Sequence, residues 1–287
     1  MARLAIPKTY KLYIGGKFPR SESGYTFEVT TPKGDFLANA AQASRKDARD
    51  AVSAARSAQS AFAGLTAYNR GQILYRIAEV LEGRVDQFVE EIRASEGVSA
   101  QAAKKQVEQS IDTWVWYAGF ADKYAQIAGN GNPVAGPYFN LSTPEPTGVV
   151  VALSPAGKTG ESLLGLSAVV APILTSGNTA VVLSHPTQPL SAISFAEVLA
   201  TSDVPGGVVN ILTGNPEPLM PWLAAHADVN ALDLAGGSEG DWVSWQQDAA
   251  ETLKRVLPPS MGISARSLER IAAFTELKTV WHTKALG

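Results

Sequence analysis

Four short apolar runs, GVVVAL (148–153), NTAVVLSH (178–185), VVNILTG (208–214) and VNALDLAGG (229–237), alternate with segments of helical character. The separators are ESLLGLSAVVAPILTSG, PLSAISFAEVLATS and PEPLMPWLAAH. Strands that are apolar throughout need both faces covered, and strands joined through helices lie parallel. The succession therefore predicts a parallel α/β sheet with right-handed crossovers, the architecture of nucleotide-binding domains.

Upstream, Leu12 and Ile14 followed by Gly15-Gly16 read as a short strand and turn. Tyr25, Phe27 and Val29 alternate with polar residues as a half-buried strand, closed by the turn Pro32-Lys33-Gly34-Asp35. Ser44 is a candidate N-cap for a long helix whose buried face carries Ala48, Ala51, Val52, Ala55 and Phe62. A second helix follows Asn69, with Ile73, Leu74, Ile77, Ala78 and Leu81 as its stripe, and Gly83 stops it. Val85, Phe88, Val89 and Ile92 continue helically, and a third region spans about Ala100 to Ile127. Between Gly129 and Pro146 the Gly- and Pro-rich stretch, extended from Tyr138 to Ser142, reads as an arm. Near the end, DAAETLKRVLPPS reads as a helix stopped by two prolines, and RSLERIAAFTELKTVWHT as a short helix and a terminal strand.

At 287 residues the chain is long enough for a large core. A formal charge of -3 without any Lys/Arg block argues against a nucleic-acid partner. Pro and Gly interrupt the apolar runs well short of membrane-spanning length, and the first residues lack a signal-peptide core, so a cytoplasmic protein is expected. There is no cysteine, which removes disulfides and thiolate metal sites. His185, His226 and His282 are not at metal-ligand spacing, and no metal site is expected.

Many motifs in order carry a family resemblance. KLYIGGKF, SGYTFEVTTPKGD, AVSAARSAQSAF, WYAGFADK, EPTGVVVALSP, SGNTAVVLSHP, VPGGVVNILTG and AAHADVNALDLAGG together cover most of residues 10 to 242. The chain resembles the aldehyde dehydrogenase superfamily, and within it the degenerate C-terminal copy of two-copy (family 16-like) members. The resemblance implies a Rossmann-like cofactor domain formed by 1–128 and 146–257. It also implies an antiparallel oligomerisation arm formed by 129–145 and 264–287. The family's catalytic domain would fall between Leu257 and Ser264, where almost nothing stands.

Chemistry in that family uses a cysteine thiolate, an oxyanion-binding Asn and a glutamate base. Here no Cys exists, and Ser154-Pro155 is followed by Ala156, Gly157 and Lys158 without any Asn from Leu141 to Gly177. The glutamate is missing with its segment, so no catalytic residue is assigned. The Lys and Glu that bind the adenosine ribose are replaced by Ser184 and Thr187, and Leu234-Ala235-Gly236-Gly237 stands where the family reads Phe-Thr-Gly-Ser. A degenerate pocket of Ser154, Lys158, Ser184, Thr187, Gly236 and Gly237 follows, with no cofactor expected beyond weak NAD binding. Gly236 and Gly237 read foremost as a strand end.

ALSPAGKT (152–159) also fits a loose phosphate-loop pattern, with Lys158 as countercharge, Thr159 as magnesium ligand and Asp233 as a second ligand. Pro155 removes one N–H donor from it. The leading expectation is a non-catalytic subunit that assembles with a full-length aldehyde dehydrogenase or with itself. Its interface would use Tyr138, Phe139, Leu141, Thr143, Thr279, Val280 and Trp281, pairing with a neighbouring subunit. An NAD- or ATP-binding regulatory subunit is the alternative, and residual activity through Ser154 or Thr159 ranks last.

Overall fold

The computed structural model describes residues 8–155, 161–237, 242–259 and 266–284. Strands β1 (Thr9–Tyr10), β2 (Thr26–Thr30) and β3 (Phe36–Ala41) form a small sheet with β3 central. Leu12 to Lys17 contribute isolated bridges in place of the expected strand, Tyr13 to Ile211 and Ile14 to Lys17. Helices α1 (Arg45–Ala63), α2 (Ala67–Glu82), α3 (Val85–Glu96) and α4 (Ala100–Phe120) follow. Ser44 caps α1 in a full capping box with Asp47, while Thr66 and Ser99 cap α2 and α4. A short α5 (Tyr124–Ala128) leads into β4 (Asn130–Asn132) and β5 (Tyr138–Pro146).

The alternating region folds as β6 (Val149–Leu153), α6 (Ser162–Thr175), β7 (Thr179–Leu183), α7 (Leu190–Ala200), β8 (Val209–Leu212), α8 (Met220–Ala225) and β9 (Ala231–Asp233). After it come α9 (Trp242–Ala250), β10 (Arg255–Leu257), α10 (Leu268–Ala272) and β11 (Thr275–Thr283). The central sheet has the order β10-β9-β6-β7-β8, all parallel. From β6 the chain winds outward through β7 and β8, then crosses back to β9, so the direction of winding reverses between β6 and β9.

Alternation within each strand divides the core. Val150, Ala152, Ala180 and Val182 pack with α2, α3, α4, α6 and α7 on one face. Val149, Val151, Leu153, Val181 and Leu183 pack with α1, α8 and α9 on the other. Both layers exclude water, so the whole strand reads as apolar. Among the described residues no helix is long and apolar enough to cross a membrane.

One sequence expectation changes. The segment read as one helix up to the double proline is split: α9 ends at Ala250, Leu253 turns at a φ of 54°, and Arg255–Leu257 becomes the fifth strand. Val256-Leu257 suits either periodicity, and the open edge of β9 decides. The arm and the terminal strand form the expected antiparallel unit, pairing with each other from Thr275↔Pro146 to Thr283↔Tyr138. Intrachain pairing satisfies the same backbone groups without the entropy of association. β4 covers Asn140, Leu141 and Ser142 on the other side.

The last segment is fastened at several points. Asn178 Nδ2 donates to Phe274 O at 2.7 Å, and Tyr124 Oη lies 2.9 Å from Thr275 Oγ1. Arg270 inserts beneath the sheet, pairing with the Asp233 carboxylate and donating from Nε to Ala168 O at 3.2 Å. Both partners are buried, and Ala235 N–H donates to Asp233 Oδ1 at 3.1 Å. Removing one member of a buried pair strands the other charge. Arg270→Met is expected to cost about 3–5 kcal/mol in urea unfolding, and adding Asp233→Asn should recover part of that loss.

Candidate functional site

A cleft of about 230 Å³ opens beyond the carboxyl ends of the parallel strands. It is lined from β6 by Leu153 and Ser154, from β7 by Leu183, Ser184, His185 and Pro186, and after β8 by Asn215, Pro216 and Glu217. Gly236, Gly237 and Trp245 close it from β9 and α9. Open parallel sheets place ligands in such a crevice, where the winding reverses.

Ser184 is buried, its N–H donates to Leu212 O at 2.9 Å, and its Oγ has no hydrogen-bond partner among the described residues. Ser154 is also buried, and its N–H donates to Leu183 O at 2.9 Å. Thr187 lies outside the cleft. It is exposed and folds back on His185, with its N–H donating to Nδ1 at 3.3 Å and Oγ1 at 2.9 Å from the same atom. Nδ1 is thus an acceptor, the proton sits on Nε2, and burial lowers the imidazole pKa further. Gly236 is required by packing: a Cβ there would lie 2.3 Å from Leu153 O and 2.5 Å from Pro155 N. The fold brings Ser154, Ser184, Gly236 and Gly237 together along one cleft. Lys158 and Thr159 lie outside the described residues.

The start of α6 is filled from within the chain. Ser162 N–H donates to Glu96 Oε1 at 3.2 Å, Ser162 Oγ donates to the same atom, and Leu163 N–H donates to Gln106 Oε1 at 3.0 Å. Gln106 Nε2 holds the other Glu96 oxygen at 3.0 Å. A helix N-terminus attracts anions because its first N–H groups lack partners. Here a carboxylate already meets that demand. Asp233, read as a possible magnesium ligand, is instead spent on Arg270. Both facts count against the phosphate-loop reading. Among the described residues no cluster of three His, Asp or Glu could hold a metal ion.

Residues 18–262 match the aldehyde dehydrogenase family. The chain belongs to the aldehyde dehydrogenase family. It is 33% identical over 249 residues to the cytosolic 10-formyltetrahydrofolate dehydrogenase of Mus musculus, covering 83% of this chain and 26% of that one. The NAD+ complex structure of an aldehyde dehydrogenase from Bacillus cereus superposes with a TM-score of 0.80 at 27% identity, over 87% of this chain and 50% of that one. HpcC from Thermus thermophilus gives 0.79 at 28% identity, over 88% and 48%. The chain spans about half the length of these solved relatives. The family match ends before α10 and β11.

The arm gathers the expected interface residues. Tyr138, Phe139, Leu141, Thr143, Thr279 and Trp281 are exposed and Val280 is half-buried. In this register Trp281 and Tyr138 share one face, with ring centroids 5.8 Å apart, while Phe139, Leu141 and Val280 share the other. Ser142 Oγ lies 2.8 Å from Thr279 Oγ1 between the strands.

One charged cluster had no sequence signal. Glu91 on α3 accepts from Tyr10 Oη at 2.8 Å and Ser194 Oγ at 2.7 Å, while its buried Oε1 has no partner among the described residues. Lys8 and Arg84 face it from other segments through Glu197. Burial raises the Glu91 pKa above 4.5, against the pull of both hydroxyls and Lys8. The folded state therefore holds this proton when the unfolded chain has lost it. Its stabilising contribution is complete below about 4.5 and fades as pH rises through the raised value. Glu91→Gln keeps an acceptor for both hydroxyls. Urea melts from pH 4 upward should show that this variant loses less stability with rising pH than the parent.

Proposed function

We propose that this chain is a non-catalytic aldehyde-dehydrogenase-like subunit of the cytoplasm that assembles with a full-length aldehyde dehydrogenase, or with itself. It supports NAD-dependent aldehyde oxidation performed by the partner. The observation that carries this reading is the retention of the family fold in a chain of 287 residues without one cysteine. A thiolate is the nucleophile the family chemistry rests on, and among the described cleft residues no other side chain takes its place. Ser154 Oγ has no titratable partner among the described residues, and His185 Nδ1 is committed to Thr187.

The arm supports association. Leu277 and Trp281 on one face and Phe139 and Leu141 on the other are all about half exposed or more. The outer edge of β11 has no strand beside it among the described residues. An open edge flanked by apolar side chains is a surface that proteins otherwise blunt or cover. Burial of Trp281 and Leu277 by a partner would contribute roughly 1.5–3 kcal/mol each.

Co-expression with a full-length aldehyde dehydrogenase from the same cells, followed by mass photometry, should give a mixed or self-assembled species. Trp281→Lys combined with Leu277→Lys should weaken it at least tenfold while the circular dichroism of the chain stays unchanged. A chain that stays monomeric at every concentration and with every such dehydrogenase refutes the assembly. Aldehyde turnover by the purified chain, free of contaminating dehydrogenase, refutes the non-catalytic half.

A further inference from the structure

The segment from Lys8 to Lys17 touches two sheets before the chain enters its helices. Thr9 and Tyr10 pair in parallel with Asn39 and Ala40 and so cover one edge of β3. Tyr13 then bridges the edge of β8, its N–H donating to Ile211 O at 2.9 Å and its O accepting from Ile211 N–H at 2.7 Å. A ladder as short as β1 holds poorly by backbone bonds alone. Tyr10 supplies the rest: its ring is buried in the core, and its Oη donates to Glu91 Oε2 at 2.8 Å.

The Glu91 end of that bond is lopsided. Ser194 Oγ also donates to Oε2, at 2.7 Å, and Lys8 Nζ donates to Ser194 Oγ at 3.2 Å, which turns the hydroxyl proton toward the carboxyl group. Both hydroxyls thus serve one oxygen, while the buried Oε1 has no partner among the described residues. In an ionised carboxylate each oxygen carries half the charge, so Oε1 would hold charge without a donor. In the neutral acid it is an unpaired polar atom, which costs less. Lys8 is already drawn to Glu197, at 2.8 Å, and Arg84 reaches the same carboxylate at 3.5 Å. The charged side chains of α4, which also packs on α3, are Lys104, Lys105, Glu108 and Asp112, and all are exposed. Burial accordingly holds the Glu91 carboxyl above its usual range, and burial raises the Tyr10 phenol as well, so that Tyr10 stays a donor.

We propose that this segment is a proton-operated clasp, closed on β3 while Glu91 carries a proton and opening at its Lys8–Tyr10 end when Glu91 ionises. Opening bares one edge of β3 and withdraws Tyr10 from between α3 and α7. The docked state keeps the Glu91 proton at a pH where a solvated carboxyl has lost it. Docking is therefore strongest below about 4.5 and weakens by up to tenfold per pH unit above, until Glu91 is ionised in the docked state too. The clasp uses none of the arm's residues, so a chain that never associates leaves it standing.

The test is hydrogen exchange of the full chain from about pH 4.5 to about pH 8, expressed as protection factors so that the pH dependence of the intrinsic rate cancels. Protection in β1 and along the β3 edge beside it should fall at least tenfold, while that of Tyr13, Ile211 and α6 stays level. Glu91→Gln keeps an acceptor for both hydroxyls and cannot ionise, so its β1 protection should be flat across the range. Glu197→Gln, which removes the other carboxylate near Lys8, should keep the fall. Protection in β1 that does not change with pH overturns the proposal. So does a fall shared by Tyr13 and α6, which is general unfolding, a fall that survives in Glu91→Gln, or one that vanishes in Glu197→Gln.

Discussion

The contact between Asp233 and Arg270 holds together parts of the molecule that share no hydrogen-bonded ladder. Asp233 ends β9 beside the reversal of the winding, and Arg270 belongs to α10, just before the strand that completes the arm. Through Nε the same guanidinium reaches Ala168 in α6. Three elements with different neighbours are thus referred to one buried point. Desolvation raises the Asp233 carboxyl pKa against the pull of the guanidinium and the Ala235 N–H, so the pair is costly to bury and demanding in geometry. Its clearest effect is positional: with it in place, Phe274 O meets Asn178, Thr275 meets Tyr124, and β11 enters the register of β5.

A second constraint shapes the cleft. Glu96 and Gln106 come from α3 and α4, well before the sheet begins in sequence, yet they cap the first helix of the sheet. The family scaffold thus keeps its crevice while the first N–H groups of α6 are met from within the chain. A site can persist on a fold while its chemistry is exchanged.

The sequence shows the strands of the sheet because burial on both faces leaves a continuous apolar signal, as in GVVVAL. It shows α1 through the N-cap at Ser44, and α2 and α4 through their apolar stripes, whose caps Thr66 and Ser99 appear only in the structure. What it hides is set at long range. Val256-Leu257 becomes a strand only because β9 offers an edge. The helix from Trp242 leaves little trace because its buried residues, Trp245 and Ala249, make too short a stripe to stand out. Within the site, the family resemblance points to Ser154, Ser184, Gly236 and Gly237, and all four are found lining the cleft. Thr187 is not, because two residues of loop turn it toward His185. The Glu96 cap and the Arg270 pair leave no local pattern at all.

The register of the arm also carries a consequence for the order of events during synthesis. β5 leaves the ribosome long before β11, its principal partner, has been made. At about 5–20 residues per second, Tyr138 to Pro146 wait on the order of ten seconds with that edge bare. Only β4, covering Asn140 to Ser142, shields the other side meanwhile. The nascent chain thus displays an apolar ribbon, including Phe139 and Leu141, until β11 emerges. The arm closes only once β11 is available to pair with β5.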